Sequence, residues 1–216
     1  MSPADPTVPT SLNAADLDPI VGLYGSTRPE SPVRTLIWGE WEATLESALL
    51  RNIRYRGTEV IRGIEFVGRD ANWGTLPPNV LNLDLAAEHF NIDGTFHFEE
   101  AQVPWSACAN LSDSGLSIAG RCEAPAPVST NRTGFVLLHP LTCIGQPFEI
   151  EHPDGTTTSA HFPELIRPDQ PAFNIRALRY APAEGLELEI RFDGDVFEME
   201  DQRNWLDASF KTYCRP

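Results

Sequence analysis

The chemically most capable stretch of this 216-residue sequence covers residues 197–213. It contains the carboxylates Glu200 and Asp207 and the cations Arg203 and Lys211. A carboxylate can activate a water molecule as a general base, and a cation can stabilise the oxyanion that forms when that water attacks a carbonyl. The stretch therefore predicts candidate catalytic residues for ester hydrolysis, without deciding which carboxylate or which cation takes part.

Aromatic and amide side chains accompany these charges. Trp205 or Tyr213 offers a ring on which the apolar face of a sugar can lie, and Asn204 and Glu198 supply hydrogen-bonding groups. Together these side chains predict the floor of a binding site for a hydroxyl-rich ligand, such as a sugar or a sugar lactone. The alternative interpretation is a solvated face or a structural ion-pair network, which is common in folded proteins.

A second polar and aromatic cluster occupies residues 69–75, where Arg69 and Trp73 are further candidates for substrate binding. An ordinary loop with a packed tryptophan is the alternative. His139 ends the most apolar run of the chain, residues 133–140. We treat this histidine as a candidate for ligand binding or acid–base chemistry, the alternative being a capped or solvent-facing histidine at a strand end.

Alternation of apolar and polar residues indicates that strands position these side chains. Residues 195–200 alternate so that Glu198 and Glu200 share one face of a strand. After a polar turn at residues 201–204, alternation resumes over residues 205–213. A strand there would place one set of polar and aromatic side chains on a common face: Trp205, Asp207, Ser209, Lys211 and Tyr213.

Short alternating segments separated by turn sequences recur along the chain, for example residues 35–38 and 41–46, and no convincing amphipathic helix is present. The predicted fold class is all-β with little helix, a large antiparallel β-sandwich or supersandwich-like variant rather than a closed barrel. Residues 1–32, rich in Pro, Ser, Thr and Asp, are predicted to be a flexible lead-in, and residues 33–216 to be the sandwich domain.

Charge excludes some partners. The formal net charge is −15, from 16 basic and 31 acidic side chains. Such acidity opposes binding to nucleic acid or to an anionic membrane surface, and no apolar run approaches the roughly 20 residues that span a bilayer. Residues 1–10 lack the basic and apolar regions of a secretory signal, so we expect a cytoplasmic location.

Motifs for cofactor or metal binding are missing from the sequence. It contains no glycine-rich nucleotide loop, no G-x-S-x-G nucleophile elbow and no H-E-x-x-H metal motif. His152 and His161 flank a predicted hairpin without a third ligand, and the four cysteines show no metal-binding spacing. We therefore predict neither a cofactor nor a metal ion, and reduced thiols.

Residues 54–64, 69–75, 134–140 and above all 200–214 resemble the N-terminal domain of the D-apionate lactonase family. The resemblance extends from about Arg51 to the C-terminus. It implies hydrolysis of D-apionolactone, the lactone of a branched sugar acid, to the open acid in carbohydrate catabolism. It also implies a longer protein that continues into a C-terminal catalytic domain, an α/β-barrel region. It assigns no catalytic residue within these blocks.

Three functional hypotheses follow, each with a sugar lactone or sugar acid as the small-molecule partner. The first is lactone hydrolysis in this chain, with Glu200 or Asp207 activating water and Arg203 or Lys211 stabilising the oxyanion. The second is a non-catalytic sugar-binding or interdomain module of a larger carbohydrate-active enzyme. The third is a mutarotase-like sugar epimerase, suggested by the strand-rich pattern and by His139 at the end of a strand.

Overall fold

A computed structural model of the chain describes residues 19, 21, 33–86, 89–99, 101–112, 115–205 and 208–215. Within these residues, sixteen strands follow one another in chain order: β1 (Val33–Trp38), β2 (Trp41–Glu46), β3 (Leu49–Tyr55), β4 (Thr58–Asp70), β5 (Asn79–Leu85), β6 (His89–His97), β7 (Gln102–Ser112), β8 (Gly115–Cys122), β9 (Thr130–His139), β10 (Pro147–Glu151), β11 (Thr157–His161), β12 (Ala172–Ile175), β13 (Ala177–Ala183), β14 (Leu186–Arg191), β15 (Phe197–Asp201) and β16 (Phe210–Cys214). A short 3-10 turn, Leu141–Cys143, follows β9.

The strands form three antiparallel sheets in the described part of the chain. The large sheet has the order β1-β2-β3-β4-β9-β16-β15-β12, and two four-stranded sheets have the orders β5-β6-β7-β8 and β11-β10-β13-β14. The hairpin predicted over residues 35–46 is β1 paired with β2. A two-residue turn, Arg56 and Gly57, also joins β3 to β4. Both residues have positive φ angles, 52° and 77°, which two-residue hairpin turns favour because they match the twist of the strands.

Aromatic side chains join the first small sheet to the large one. Phe66 on β4 and Phe135 on β9 are register partners, with ring centroids 5.1 Å apart. Phe96 and Trp105, from β6 and β7, pack on Phe66 at 6.4 and 6.1 Å. Gly68 permits this approach, because a Cβ atom there would lie 2.9 Å from the Phe96 ring.

A second aromatic cluster joins the other small sheet to the same face. Phe162 packs against Phe148 on β10, Tyr180 on β13 and Phe210 on β16, at centroid distances of 4.6, 5.3 and 5.0 Å. His139 on β9 also borders Phe162, at 5.7 Å. Both four-stranded sheets therefore cover one face of the large sheet, which confirms the predicted all-β, sandwich-like fold.

The opposite face of the large sheet carries a smaller buried cluster. Val67 on β4, Val136 and Leu138 on β9 and Tyr213 on β16 form it. The lead-in predicted over residues 1–32 lies outside the described residues except at positions 19 and 21, so it stays a prediction. In the described ranges, no helix has the length and hydrophobicity needed to cross a bilayer.

Candidate functional site

The alternation predicted before the polar turn is present in β15. Phe197 and Met199 are buried on one face of this strand, and Glu198 and Glu200 are half-buried on the other. The carboxylates therefore share a face, as the sequence predicts. Strand β16 lies directly opposite, and Lys211 is the register partner of Glu200.

The strand predicted over residues 205–213 is shorter than expected, because β16 begins only at Phe210. The described residues before it, 202–205 and 208–209, form a loop outside any strand. The Trp205 amide donates to the Gln202 carbonyl at 2.9 Å, the Ala208 amide donates to the Trp205 carbonyl at 3.0 Å, and Ala208 has a φ of 45°. These local hydrogen bonds compete with strand pairing, so Trp205 lies in the loop and not on the strand face.

This loop forms one wall of a groove of about 310 Å³, whose other wall is the segment 166–170. Three of the predicted site residues, Glu200, Asn204 and Trp205, line the groove. The Trp205 side chain is 68% exposed, so its indole is available to a ligand. The groove combines a carboxylate, an amide and an indole, which is the set of groups predicted for a hydroxyl-rich ligand.

Glu200 is held in place by two donors. The Tyr213 hydroxyl donates to one carboxylate oxygen, and the Gln202 side-chain amide donates to the other at 2.6 Å. A carboxylate offers about four acceptor positions, so these two bonds leave room for a water molecule or a sugar hydroxyl. Glu200 therefore combines a fixed orientation with spare acceptor capacity at the groove.

The guanidinium of Arg203 is held by hydrogen bonds to neighbouring protein groups. Its Nε and Nη2 donate to the two oxygens of Asp201 at 2.8 and 2.7 Å, and its Nη1 donates to the Glu164 carbonyl at 3.0 Å. The guanidinium also lies 4.5 Å from the Phe210 ring centroid. Burial opposes ionisation of Asp201, but the hydrogen bonds from Arg203 and from the Arg167 amide outweigh it and lower the pKa of that carboxyl. This pair fastens the 164–167 segment to the end of β15.

Tyr213 is buried, with 1% of its surface exposed. Burial first, and then the hydrogen bonds to Glu200 and Glu198, raise the pKa of its phenol well above the ordinary range. Glu198 also forms an ion pair with Arg215, at 3.4 Å between Oε2 and Nε. Of the two rings predicted as a platform for a sugar, only that of Trp205 is exposed at the groove. Lys211, the register partner of Glu200, is also buried, at 8%.

His139 is fully buried between the large sheet and the sheet that contains β13. Its Nδ1 lies 2.9 Å from the Tyr180 hydroxyl and its Nε2 lies 2.7 Å from the Thr212 hydroxyl. Burial lowers the pKa of the imidazole to about 3. The ring is therefore neutral near pH 7 and bonded inside the core, away from the groove lining, which leaves the mutarotase-like hypothesis without an accessible histidine at this position.

The second predicted cluster forms a tight loop after β4. Asp70 Oδ1 accepts hydrogen bonds from the amides of Asn72 and Gly74, each at 2.8 Å, and Arg69 Nη1 donates to the Trp73 carbonyl at 3.0 Å. Trp73 has a φ of 70° and is 55% exposed. The loop therefore holds this indole at the surface by backbone and side-chain hydrogen bonds.

Arg132 on β9 connects the two predicted clusters, and sequence reasoning missed it. Its guanidinium carbon lies 3.7 Å from the Tyr213 ring centroid and 5.4 Å from that of Trp73. The available signal was a single cation near the start of a strand that becomes apolar from residue 134 to residue 138. Asp207 lies outside the described residues, and among those described no three His, Cys, Asp or Glu side chains gather as metal ligands.

Fold and groove together define an all-β domain with a polar and aromatic surface site. The family described as "D-apionate lactonase, N-terminal domain" matches residues 21–216, and this chain belongs to that family. The resemblance seen in the sequence is thereby confirmed. Its N-terminal limit was placed too late, at about Arg51, because the match begins 30 residues earlier, at residue 21.

A curated relative, the D-apionate lactonase of Brucella anthropi, is 35% identical over 209 residues. The aligned region covers 94% of this chain and 34% of the relative. The chain thus spans about a third of the length of this relative. No solved protein structure matches it.

Proposed function

We propose that this chain serves the hydrolysis of a sugar-acid lactone, D-apionolactone, as the N-terminal domain of the enzyme, and that its groove binds the hydroxyl-rich ring. Membership of the lactonase N-terminal family supports the reaction class. The observation that carries the binding role is the meeting of Glu200, Asn204 and the exposed Trp205 at one groove.

The groups of the groove match those of a sugar lactone. Sugar hydroxyls donate to a carboxylate and exchange hydrogen bonds with an amide, so Glu200 and Asn204 suit the polar edge of the ring. The C–H face of the ring is apolar and packs on an indole such as Trp205. Fixed by Tyr213 and Gln202, the Glu200 carboxylate loses little conformational freedom when the ligand binds.

The geometry favours binding over bond cleavage for this part of the enzyme. Three hydrogen bonds to Asp201 and Glu164 engage Arg203, so its guanidinium is committed to the fold and not to an oxyanion. His139 is neutral and buried. We therefore assign activation of water to the part of the lactonase architecture that this chain does not span, a C-terminal catalytic domain.

Binding is best measured with a probe that cannot hydrolyse, the cyclic ether that has the lactone's hydroxylated ring without its carbonyl. Amide NMR shifts should map its contacts to the groove. We expect Trp205→Ala and Glu200→Gln each to weaken binding by about tenfold, the usual loss for a central contact. Ile37→Ala, which truncates an exposed side chain on β1, is the matched control and should bind as the wild type does.

Turnover decides between the two roles of the groove. In a pH-stat assay with D-apionolactone, the chain should release protons no faster than buffer. A second candidate function, hydrolysis in this groove with Glu200 as the general base, is favoured by the spare acceptor capacity of that carboxylate. Turnover above the buffer rate that Glu200→Gln abolishes would establish this second function and overturn the assignment of chemistry to another domain.

A further inference from the structure

The guanidinium of Arg132 lies in a setting that calls for an anion. Arg132 is 7% exposed and sits between the rings of Tyr213 and Trp73. Its Nε is buried and has no hydrogen-bond partner. Aromatic rings attract the cation, but they do not accept the planar, paired hydrogen bonds that a guanidinium donates.

No carboxylate among the described residues pairs with Arg132. The observed side-chain donors to Glu200, which is linked to the same tyrosine, are Tyr213 and Gln202. The Cys214 thiol senses both Asp195 and Arg132. Burial is the main cause that raises the pKa of this thiol to about 11; the Asp195 charge raises it further, and the Arg132 charge lowers it. Burying a charge without a counter-ion is costly, so an anion from solution would stabilise this arrangement.

The pairing of β4 with β9 is irregular beside Arg132. Arg69 is the register partner of Arg132, but the next pair joins Asp70 to Thr130, so one residue of β9, Asn131, is skipped. Such an irregularity re-aims side chains and is frequent beside functional sites. Because Arg69 on β4 lies opposite Arg132 on β9, it places a second cation beside this position.

Trp73 forms the outer side of this site. Its indole is 55% exposed, whereas Arg132 is 7% exposed, and the ring centroid lies 5.4 Å from the guanidinium carbon, so the indole covers part of this cation. The backbone of Trp73 is fixed by hydrogen bonds within the 70–74 turn and by Arg69. A change of the Trp73 side-chain rotamer would therefore open the guanidinium without unfolding the loop.

We propose that Arg132 binds the carboxylate of a small hydroxy acid, with Trp73 as a movable cover and Arg69 as a second cation at its edge. Arginine is suited to this task because its planar fork matches a carboxylate in two parallel hydrogen bonds. The choice of a sugar acid, the product class of lactone hydrolysis, rests on the proposed function. The anion site itself rests on the burial and missing partner of Arg132.

The test is an NMR titration of the full 216-residue chain with sodium D-apionate at constant ionic strength, following the Arg132 Nε–H resonance. A new acceptor should move this resonance saturably, and the indole N–H resonance of Trp73 should shift with the same midpoint. We expect Arg132→Met, which keeps an unbranched stem, to weaken binding at least tenfold, and Arg132→Lys to weaken it less, because a lysine keeps the charge but loses the fork. Ile37→Ala, at an exposed side chain on β1, should leave binding of the acid unchanged.

Several outcomes would overturn the proposal. They are a wild-type titration without saturation, an unchanged midpoint in a folded Arg132→Met or Arg132→Lys variant, or sodium phosphate binding as tightly as D-apionate, which indicates an unselective anion site. The wild-type Nε–H readout needs no variant, so a misfolded substitution leaves the test intact. Ring binding at Trp205 is measured with the uncharged cyclic ether, so failure of the anion site and failure of the proposed function are separate results.

Discussion

Tyr213 links Glu200 to Arg132: its hydroxyl donates to the carboxylate, while its ring lies 3.7 Å from the guanidinium carbon. One buried side chain thus orients the acid of the groove and supports the cation of the proposed anion site. The residue is 1% exposed, so it acts through these two neighbours and not by contact with a ligand.

Removing only the hydroxyl should separate these two tasks. Tyr213→Phe leaves the ring under Arg132 but withdraws a donor from the half-buried Glu200. We expect the free energy of unfolding to fall by about 1.5–3 kcal/mol, as for loss of a hydrogen bond to a charged group. Urea denaturation measures this, and binding of the cyclic ether should weaken while binding of D-apionate is retained. Tyr55→Phe is the control, since the Tyr55 hydroxyl donates to the exposed Glu40 at 3.0 Å and its loss should change stability by less than about 0.5 kcal/mol.

The buried ion pair of Arg203 and Asp201 should be far more important for stability than a surface pair. The side chains are 7% and 0% exposed, so Arg203→Met leaves a buried carboxylate without its cation. Such a loss costs about 3–5 kcal/mol. Arg121→Met breaks the exposed pair with Glu123, at 78% and 72% side-chain exposure, and should cost under about 1 kcal/mol. Equal midpoints in urea for the two variants would refute a structural role for Arg203.

His139 should make the fold sensitive to mild acid. Its pKa is about 3 in the fold against 6.5 in the reference state, so the unfolded chain takes up a proton first. The contribution of His139 to the free energy of unfolding is therefore fully present above pH 6.5. It falls by about 1.4 kcal/mol per pH unit as the pH decreases from 6.5 toward 3. Between pH 7 and pH 5 the contribution of His139 amounts to about 2 kcal/mol.

Urea denaturation at these two pH values checks the contribution of His139. His139→Gln keeps hydrogen-bonding groups near Tyr180 and Thr212 but cannot titrate, so it should flatten the pH dependence by about that amount. His161→Gln, at an exposed histidine, controls for the loss of one imidazole. An unchanged pH dependence in the folded His139→Gln variant would show that the imidazole takes up protons equally in both states.

A surface network should hold one carboxylate in its ionised form. Hydrogen bonds from Arg191, and then from Arg179, lower the pKa of Glu151 to about 2. Arg191→Gln removes the larger cause, so the pKa of Glu151 should rise toward the ordinary glutamate value of 4.5. A carboxyl-carbon NMR titration measures this directly, and Arg121→Gln, on another strand, should leave it unchanged. Because these groups are partly exposed, added salt should also raise the pKa of Glu151 in the wild type.

Local sequence determined much of the architecture. Alternation in residues 195–200 correctly placed Glu198 and Glu200 on one face, and the alternating segments 35–38 and 41–46 correctly indicated two paired strands. These features depend on backbone geometry and on neighbours a few residues apart, which a sequence displays directly. The family resemblance, likewise, depended on contiguous blocks of residues.

Tertiary structure decided what each side chain does. Arg132, Trp73 and Tyr213 meet from three separate segments, and nothing in their spacing indicates that contact. His139 ends an apolar run, yet only the packing of Phe162 and Tyr180 from another sheet makes it a neutral core residue. Periodicity assigns a side chain to one face of a strand, whereas the pairing of distant strands and the stacking of sheets determine what covers that face.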